Sequence, residues 1–242
     1  MAVFRMDKYL ADMGIGTRSE VKDYIKKGRV KVNDAVVKTA DTRIDTVKDC
    51  VFFDGVPVSY VEYEYFMLNK PAGVVSATQD SRDATVLDLI TERNRKDLFP
   101  VGRLDKDTEG LLLVTNDGGL AHDLLSPKKH VDKVYFAKID GVVTERHVEE
   151  FREGLVVDDG FKAMPAGLTV LKVNEDEGTS EIELTIREGK FHQVKRMFEA
   201  CNMCVTYLKR LRMGGLELDS RLKPGEYREL TAEEVSLLKG VL

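Results

Sequence analysis

Long apolar runs, a disulfide framework and nucleotide-, flavin- or metal-binding motifs are all missing from this 242-residue chain. No stretch approaches the ~20 consecutive apolar residues that a membrane-spanning helix needs, so no membrane partner is expected. The opening residues reach Arg5, Asp7 and Lys8 before any apolar core, which is not the layout of a secretory signal. The expected compartment is therefore the cytoplasm. Three cysteines, an odd number, do not make a disulfide scaffold. Cys201 and Cys204 form a C-x-x-C, but no second pair exists and His122, His130, His147 and His192 are scattered. Zinc would lack its four ligands, and the two cysteines read as buried thiols at a helix-to-strand turn. No internal repeat or low-complexity tract interrupts an otherwise ordinary globular composition, 43% hydrophobic and carrying a net charge of −5.

That acidic average conceals two basic stretches. Arg18 to Lys31 holds six bases (Arg18, Lys22, Lys26, Lys27, Arg29 and Lys31) against two acids, and Arg187 to Arg212 holds seven against two. Basic patches on an acidic chain suit a polyanion binder that must not stick indiscriminately. Charge runs alone equally describe solvated helix faces.

Periodicity divides the chain. Phe4, Tyr9, Leu10 and Met13 recur at helical spacing until Gly14 and Gly16. Thr17 or Ser19 can cap a second helix carrying Val21, Tyr24 and Ile25, which ends at Gly28. Asn33-Asp34 between two valine-rich runs signals a hairpin, and Val51-Phe52-Phe53 before Asp54-Gly55 adds another strand and turn. These make a small module over residues 1–58, with a polar linker at 59–64. From residue 65 to 242, strands are expected at 65–70, 111–114, 133–143, 168–173 and 181–186, and helices at 84–93, 144–153 and 190–201. Strands outnumber helices without βαβ alternation, so the class is α+β with a mixed, largely antiparallel sheet and flanking helices.

The most unusual stretch is Val101 to Gly110, which sets Asp105, Asp107 and Glu109 between two glycines and directly before the apolar run Leu111–Val114. Such a loop can hold a carboxylate on a rigid edge. A calcium loop is a rival, but its twelfth position is Asn116 where a bidentate Glu is needed. A capped turn with solvated acids is another. In the run Arg187 to Met197, Lys195 shares a helical face with Phe191 while Arg196 points away. His192 taken alone reads as a capping or packed histidine. Tyr135, in Lys133-Val134-Tyr135, occupies a strand position facing inward or into a cleft, where a tyrosine is commonly core.

Together these stretches resemble a known family. Met6–Ala11, Thr17–Glu20 and Gly28–Asn33 resemble the S4 RNA-binding domain. Phe66–Gly73, Gly102–Asp105 with Thr108–Leu111, Lys133–Tyr135, Glu188–Met197 and Pro224–Arg228 resemble the pseudouridine synthases of the RsuA type. The resemblance spans nearly the whole chain. It implies an S4-like module followed by a pseudouridine synthase catalytic domain, and a cofactor-independent isomerisation of uridine in ribosomal RNA. By the same resemblance Asp105 is the attacking aspartate, Tyr135 packs against the flipped base and Lys195 is the basic partner of the aspartate. Arg103 holds the displaced strand, Leu208 lines the pocket, and Arg18, Ser19, Lys22, Lys26, Lys27 and Arg29 contact RNA. Gln193-Val194-Lys195-Arg196 after His192, with no basic tail, looks more like the small-subunit enzyme. The expected partner is thus small-subunit ribosomal RNA or an assembly intermediate, the working unit a monomer, and metal and cofactor none. A large-subunit synthase and a non-catalytic RNA-binding assembly factor are the alternatives.

Overall fold

The computed structural model describes residues 3–158 and 160–240. The chain forms two compact units: Met1–Glu64 with Glu92–Leu98, and Tyr65–Thr91 with Phe99–Leu242.

In the first unit β1 (Val3–Arg5), α1 (Met6–Asp12), α2 (Arg18–Lys26), β2 (Val30–Val32), β3 (Ala35–Val36), β4 (Arg43–Asp45), β5 (Val51–Phe53) and β6 (Val56–Val58) follow in order. Thr17 starts α2 with a capping box: its hydroxyl accepts from the Glu20 amide, and the Glu20 carboxylate accepts from the Thr17 amide. This satisfies two amides that a helix start leaves unpaired. Met6, Leu10, Val21, Ile25, Val30 and Ile44 form the core that α1 and α2 share with the strands. Asn33 adopts a left-handed φ of 53° in the β2–β3 hairpin, as a tight turn there requires.

Residues 59–64 are packed rather than loose. The Tyr60 ring stacks on Phe4 at 4.5 Å, and its hydroxyl donates to Asp12. The buried Glu64 carboxylate accepts from the amides of Asn94 and Arg95. Arg95, 4% exposed, grips Asp97 through two nitrogens and donates to the Val61 carbonyl. A short piece of sequence from beyond residue 65 thus belongs physically to the first unit.

The second unit contains β7 (Tyr65–Lys70), β8 (Phe99–Pro100), β9 (Glu109–Thr115), α3 (Gly118–Leu125), β10 (Lys133–Asp140), α4 (Glu145–Glu153), β11 (Val156–Asp158), β12 (Phe161–Lys162), β13 (Gly167–Asn174), β14 (Thr179–Ile186), α5 (Gln193–Glu199), β15 (Cys204–Met213), β16 (Leu216–Glu217), β17 (Tyr227–Glu229) and α6 (Ala232–Gly240). The main sheet runs β13-β14-β10-β15-β9-β7-β17, with β16 on β15 and β8 on β9. Every pairing is antiparallel except β15 with β9. At that parallel seam Gly110 has φ +99°, and a Cβ there would sit 2.2 Å from the Arg210 carbonyl oxygen. Only glycine lets β9 lie that close to β15.

Three expectations need correction. Residues 84–93 are not a helix: the Asp88 carboxylate accepts from both the amide and the hydroxyl of Thr85, closing isolated turns after a bridge to Val75. Val86, Leu87 and Ile90 are buried all the same, so the helical spacing reflected burial of turns. The helix expected at 190–201 is only Gln193–Glu199, because His192 is left-handed with φ 49°. Cys204 is exposed and Cys201 half-buried, so neither is the buried thiol expected.

Candidate active site

Asp105 lies in the loop between β8 and β9, and a fully buried ammonium holds that loop in shape. Lys70, the last residue of β7 and 0% exposed, donates to the carbonyls of Pro71, Asp105, Lys106 and Thr108 at 2.8 to 3.3 Å. Burial pushes the Lys70 ammonium down to about 8, against the pull of Asp107, Asp105 and Glu109. The Ser76 hydroxyl adds a second tie, donating to the Leu104 carbonyl and accepting from the Leu104 amide. A backbone fixed at this many points holds its side chain in place without further reorganisation.

Of the three acids, Glu109 opens β9 with a partner of its own, whereas Asp105 and Asp107 share one. Glu109 accepts from the Tyr207 hydroxyl at 2.8 Å; burial and this carboxylate push the Tyr207 phenol up to about 12. Asp107 accepts from Lys195 Nζ at 2.7 and 2.8 Å, and that hydrogen bonding holds its carboxyl below the usual range. Asp105 Oδ2 lies 3.3 Å from the same Nζ. Burial works to lower the Lys195 pKa, but hydrogen bonds and charge from Asp107 and Asp105 raise it overall. Lys195 therefore stands as a cation between two carboxylates.

A locked turn delivers Lys195. The buried Glu188 carboxylate accepts from the Met164 amide and from Gln193 Nε2, while Gln193 Oε1 accepts from the Lys190 amide. His192 then takes its left-handed conformation, and its ring stacks on Phe191 with centroids 3.8 Å apart. His192 is the N-cap residue of α5, but its side chain makes no cap hydrogen bond; its Nε2 lies 3.6 Å from Asp105 Oδ1, so the ring borders the carboxylate. Arg196 faces elsewhere, over the Phe161 ring and donating to the Phe191 carbonyl.

Asp105, Tyr135, Lys195, Leu208 and Arg103 all border one cavity of about 110 Å³. Tyr135 and Leu208 are 8% and 6% exposed, whereas Arg103 is exposed. The register explains the meeting: Tyr135 of β10 is paired with Arg210 of β15, two residues beyond Leu208, and Arg210 is paired with Gly110 of β9, just after the Asp105 loop. A neighbouring cleft of about 680 Å³ shares Arg103, Asp105 and His192 with the cavity. Lys133, Thr108 and Arg210 also line the cavity, and residue type and spacing alone assign neither them nor Lys70 a role. Their motifs were visible, but only the sheet reveals that these polar groups turn inward.

In the first unit Arg18, Ser19, Lys22, Lys26 and Lys27 are exposed. Arg29 differs. It is half-buried over the rings of Tyr24 and Phe53, and its guanidinium grips Asp54. Among the described residues no group of His, Cys, Asp or Glu is arranged to hold a metal ion, and no helix is long and apolar enough to cross a membrane.

Comparison with known proteins gives this arrangement a family. Residues 64–200 match the model for RNA pseudouridylate synthase, and residues 4–49 match the S4 domain. The chain is 50% identical over 235 residues to an uncharacterised RNA pseudouridine synthase of Bacillus subtilis, covering 97% of this chain and 98% of that one. It is 40% identical to ribosomal small subunit pseudouridine synthase A of Vibrio cholerae, covering 96% and 98%. It is 39% identical to ribosomal large subunit pseudouridine synthase B of Bacillus subtilis, covering 98% and 96%. Among solved structures, a pseudouridylate synthase crystal structure matches with a TM-score of 0.67 and 35% identity over 97% of this chain and 99% of that one. The chain belongs to the RNA pseudouridine synthases, with an S4 domain at its N-terminal end.

Proposed function

We propose that this enzyme converts a specific uridine of small-subunit ribosomal RNA to pseudouridine, working as a monomer without a cofactor. The observation that carries the reading is the Asp105 carboxylate on its lysine-tied loop, facing a cavity walled by Tyr135 and Leu208. A base inside folded RNA must leave its stack to react, and a flipped base needs a small pocket with a ring to pack against. Tyr135 supplies that ring. The Asp105 carboxylate acts as nucleophile or base at the sugar or the uracil, and Lys195 keeps it charged and oriented. Arg103, exposed beside the cavity, holds the strand from which the base has left. The reaction breaks a C1′–N1 bond and makes a C1′–C5 bond, with no net oxidation and no energy source.

Arg18, Ser19, Lys22, Lys26 and Lys27 are the proposed RNA contacts of the S4 domain. Arg29 is in the same set, and it must share its guanidinium with Asp54. The choice of the small subunit rests on the form of His192-Gln193-Val194-Lys195-Arg196, since identities of 40% and 39% to small- and large-subunit enzymes do not separate them. Mapping pseudouridine in ribosomal RNA from cells with and without this gene tests the reading. Loss of one site in the small-subunit RNA supports it; loss in the large-subunit RNA moves the substrate, and no loss in either overturns it.

A further inference from the structure

The cavity holds two buried cations that the roles above leave unused. Lys133 begins β10 and Arg210 lies in β15, and they are 5% and 2% exposed. Neither forms an ion pair among the described residues. Lys133 Nζ donates to the Val131 carbonyl at 3.1 Å, and Arg210 Nε to the Leu111 carbonyl at 2.7 Å. Arg210 Nη2 is buried with no hydrogen-bond partner, and so is Thr108 Oγ1 on the same cavity. Asp132, the neighbouring acid, is already engaged by Arg187 at 2.8 Å.

Burying two positive charges without an anion is expensive. Burial and the charge of Arg210 together push the Lys133 ammonium down to about 8. A fold that keeps such a pair has a wall ready for negative charge that arrives with a ligand. The cavity is small, Tyr135 and Leu208 are among its walls and the Asp105 carboxylate lines it as well, which suits a flat ring with acceptor oxygens better than a phosphate.

We propose that Arg210 and Lys133, helped by the Thr108 hydroxyl, form an oxyanion cradle for the uracil ring and stabilise it as it leaves the ribose. The inference rests on the pseudouridine synthase reading of this cavity. When the C1′–N1 bond breaks, its electron pair stays with uracil, giving an anion spread over N1, O2 and O4. The Asp105 carboxylate answers the electron-poor sugar, either by bonding to it or by taking a proton from C2′. Uracil then turns and C5 bonds to C1′, which breaks the bond to Asp105 on the first route or is accompanied by return of the proton to C2′ on the second; the C5 proton is lost, and N1 gains a proton. The product is an isomer of the substrate, and no oxidant or co-reactant is consumed. Donors aimed at charge that develops only as the bond breaks lower the barrier without tightening ground-state binding.

The test compares leaving groups. A small-subunit ribosomal RNA transcript is prepared with uridine, and again with 5-fluorouridine, whose fluorine makes the departing ring a better anion. Single-turnover loss of the parent nucleoside, which reads cleavage of the C1′–N1 bond, is followed by nucleoside analysis, since a ring with fluorine at C5 has no C5 proton to lose; RNA affinity is measured separately. Arg210→Met and Lys133→Met should each slow conversion of uridine by about 100-fold or more, change RNA affinity less than twofold, and slow 5-fluorouridine at least tenfold less than uridine. Equal slowing on both substrates, or no slowing, overturns the cradle. Should Arg210→Met fail to fold, judged by its thermal melt, Lys133→Met decides by the same comparison. Absence of conversion by the wild type would instead sink the functional reading, and this inference with it.

Discussion

At the scale of single residues, Asp105 and Lys195 make the sharpest commitments. Asp105→Asn keeps the shape of the side chain but removes a nucleophilic or basic carboxylate, so turnover should fall by at least about 100-fold. Its backbone is held by Lys70, not by its own carboxylate, so RNA affinity and the thermal midpoint should stay near wild type. Activity within tenfold of wild type would move the chemistry elsewhere. Lys195→Met removes the cation shared by Asp105 and Asp107. Asp107 is held below its ordinary value chiefly by hydrogen bonds from Lys195, so in the variant its carboxyl should titrate at higher pH. Carboxylate NMR titration reads this directly, alongside a sharp loss of turnover. An Asp107 titration that does not move would break the assignment.

At the scale of elements, two connections decide where the site sits. The turn before α5 depends on Gln193, which is buried and bonded to both Glu188 and the Lys190 amide. Gln193→Leu strands polar groups without their partner, and should cost about 1–3 kcal/mol of stability, measured by denaturant unfolding. Because the same turn delivers Lys195, kcat should fall while RNA affinity holds; unchanged kcat would show that the turn does not position the lysine. At the far edge of the sheet, Arg228 of β17 joins Asp219 to Glu234 of α6. Hydrogen bonds from Arg221 and Arg228 hold the Asp219 carboxyl far below the usual range, and Arg228 depresses Glu234. Carboxylates with depressed native pKa values contribute stability above their unfolded pKa and lose it as pH falls through the native one. Arg228→Met should therefore destabilise the protein most near neutral pH, with the gap to wild type closing below about pH 4. A gap independent of pH in unfolding curves would mean that the contact acts through packing alone.

At the scale of the molecule, the expected division of labour is that S4 supplies affinity and the second unit supplies chemistry. Phosphate contacts hold RNA without transforming a base. Changing Arg18, Lys22 and Lys26 together to Ala should weaken RNA binding and lower the slope of log affinity against log salt by about 2 to 3 units. Single-turnover rate at saturating RNA should stay within about twofold, since phosphate contacts act on binding rather than on the bond being broken. A collapse of that rate would make S4 part of the active site. Removing residues 1–58 is a poorer test than this triple variant. It strips Asp12 and the core packing from a unit that also holds Arg95 and Glu64.

What the linear chain determined by itself was local chemistry and kinship. The helix starting at Thr17, the Asn33 hairpin, the α+β class and the family of the enzyme were all readable, because caps, turns and contiguous motifs involve neighbours in sequence. Asp105 stood out for the same reason, as an acid between glycines before an apolar strand. Tertiary structure alone decided the rest. The spacing of Leu87 and Ile90 could not distinguish a helix from buried turns, since both hide the same side chains. Nothing local joins residues 92–98 to the first unit; Glu64 and Val61 do so across about 30 residues. Nor could spacing tell that Lys70 ties down the Asp105 loop, or that Lys133 and Arg210 meet as unpaired charges. Those are facts of register, set when β10, β15 and β9 align in one sheet, and alternation assigns a face without saying which distant residue shares it.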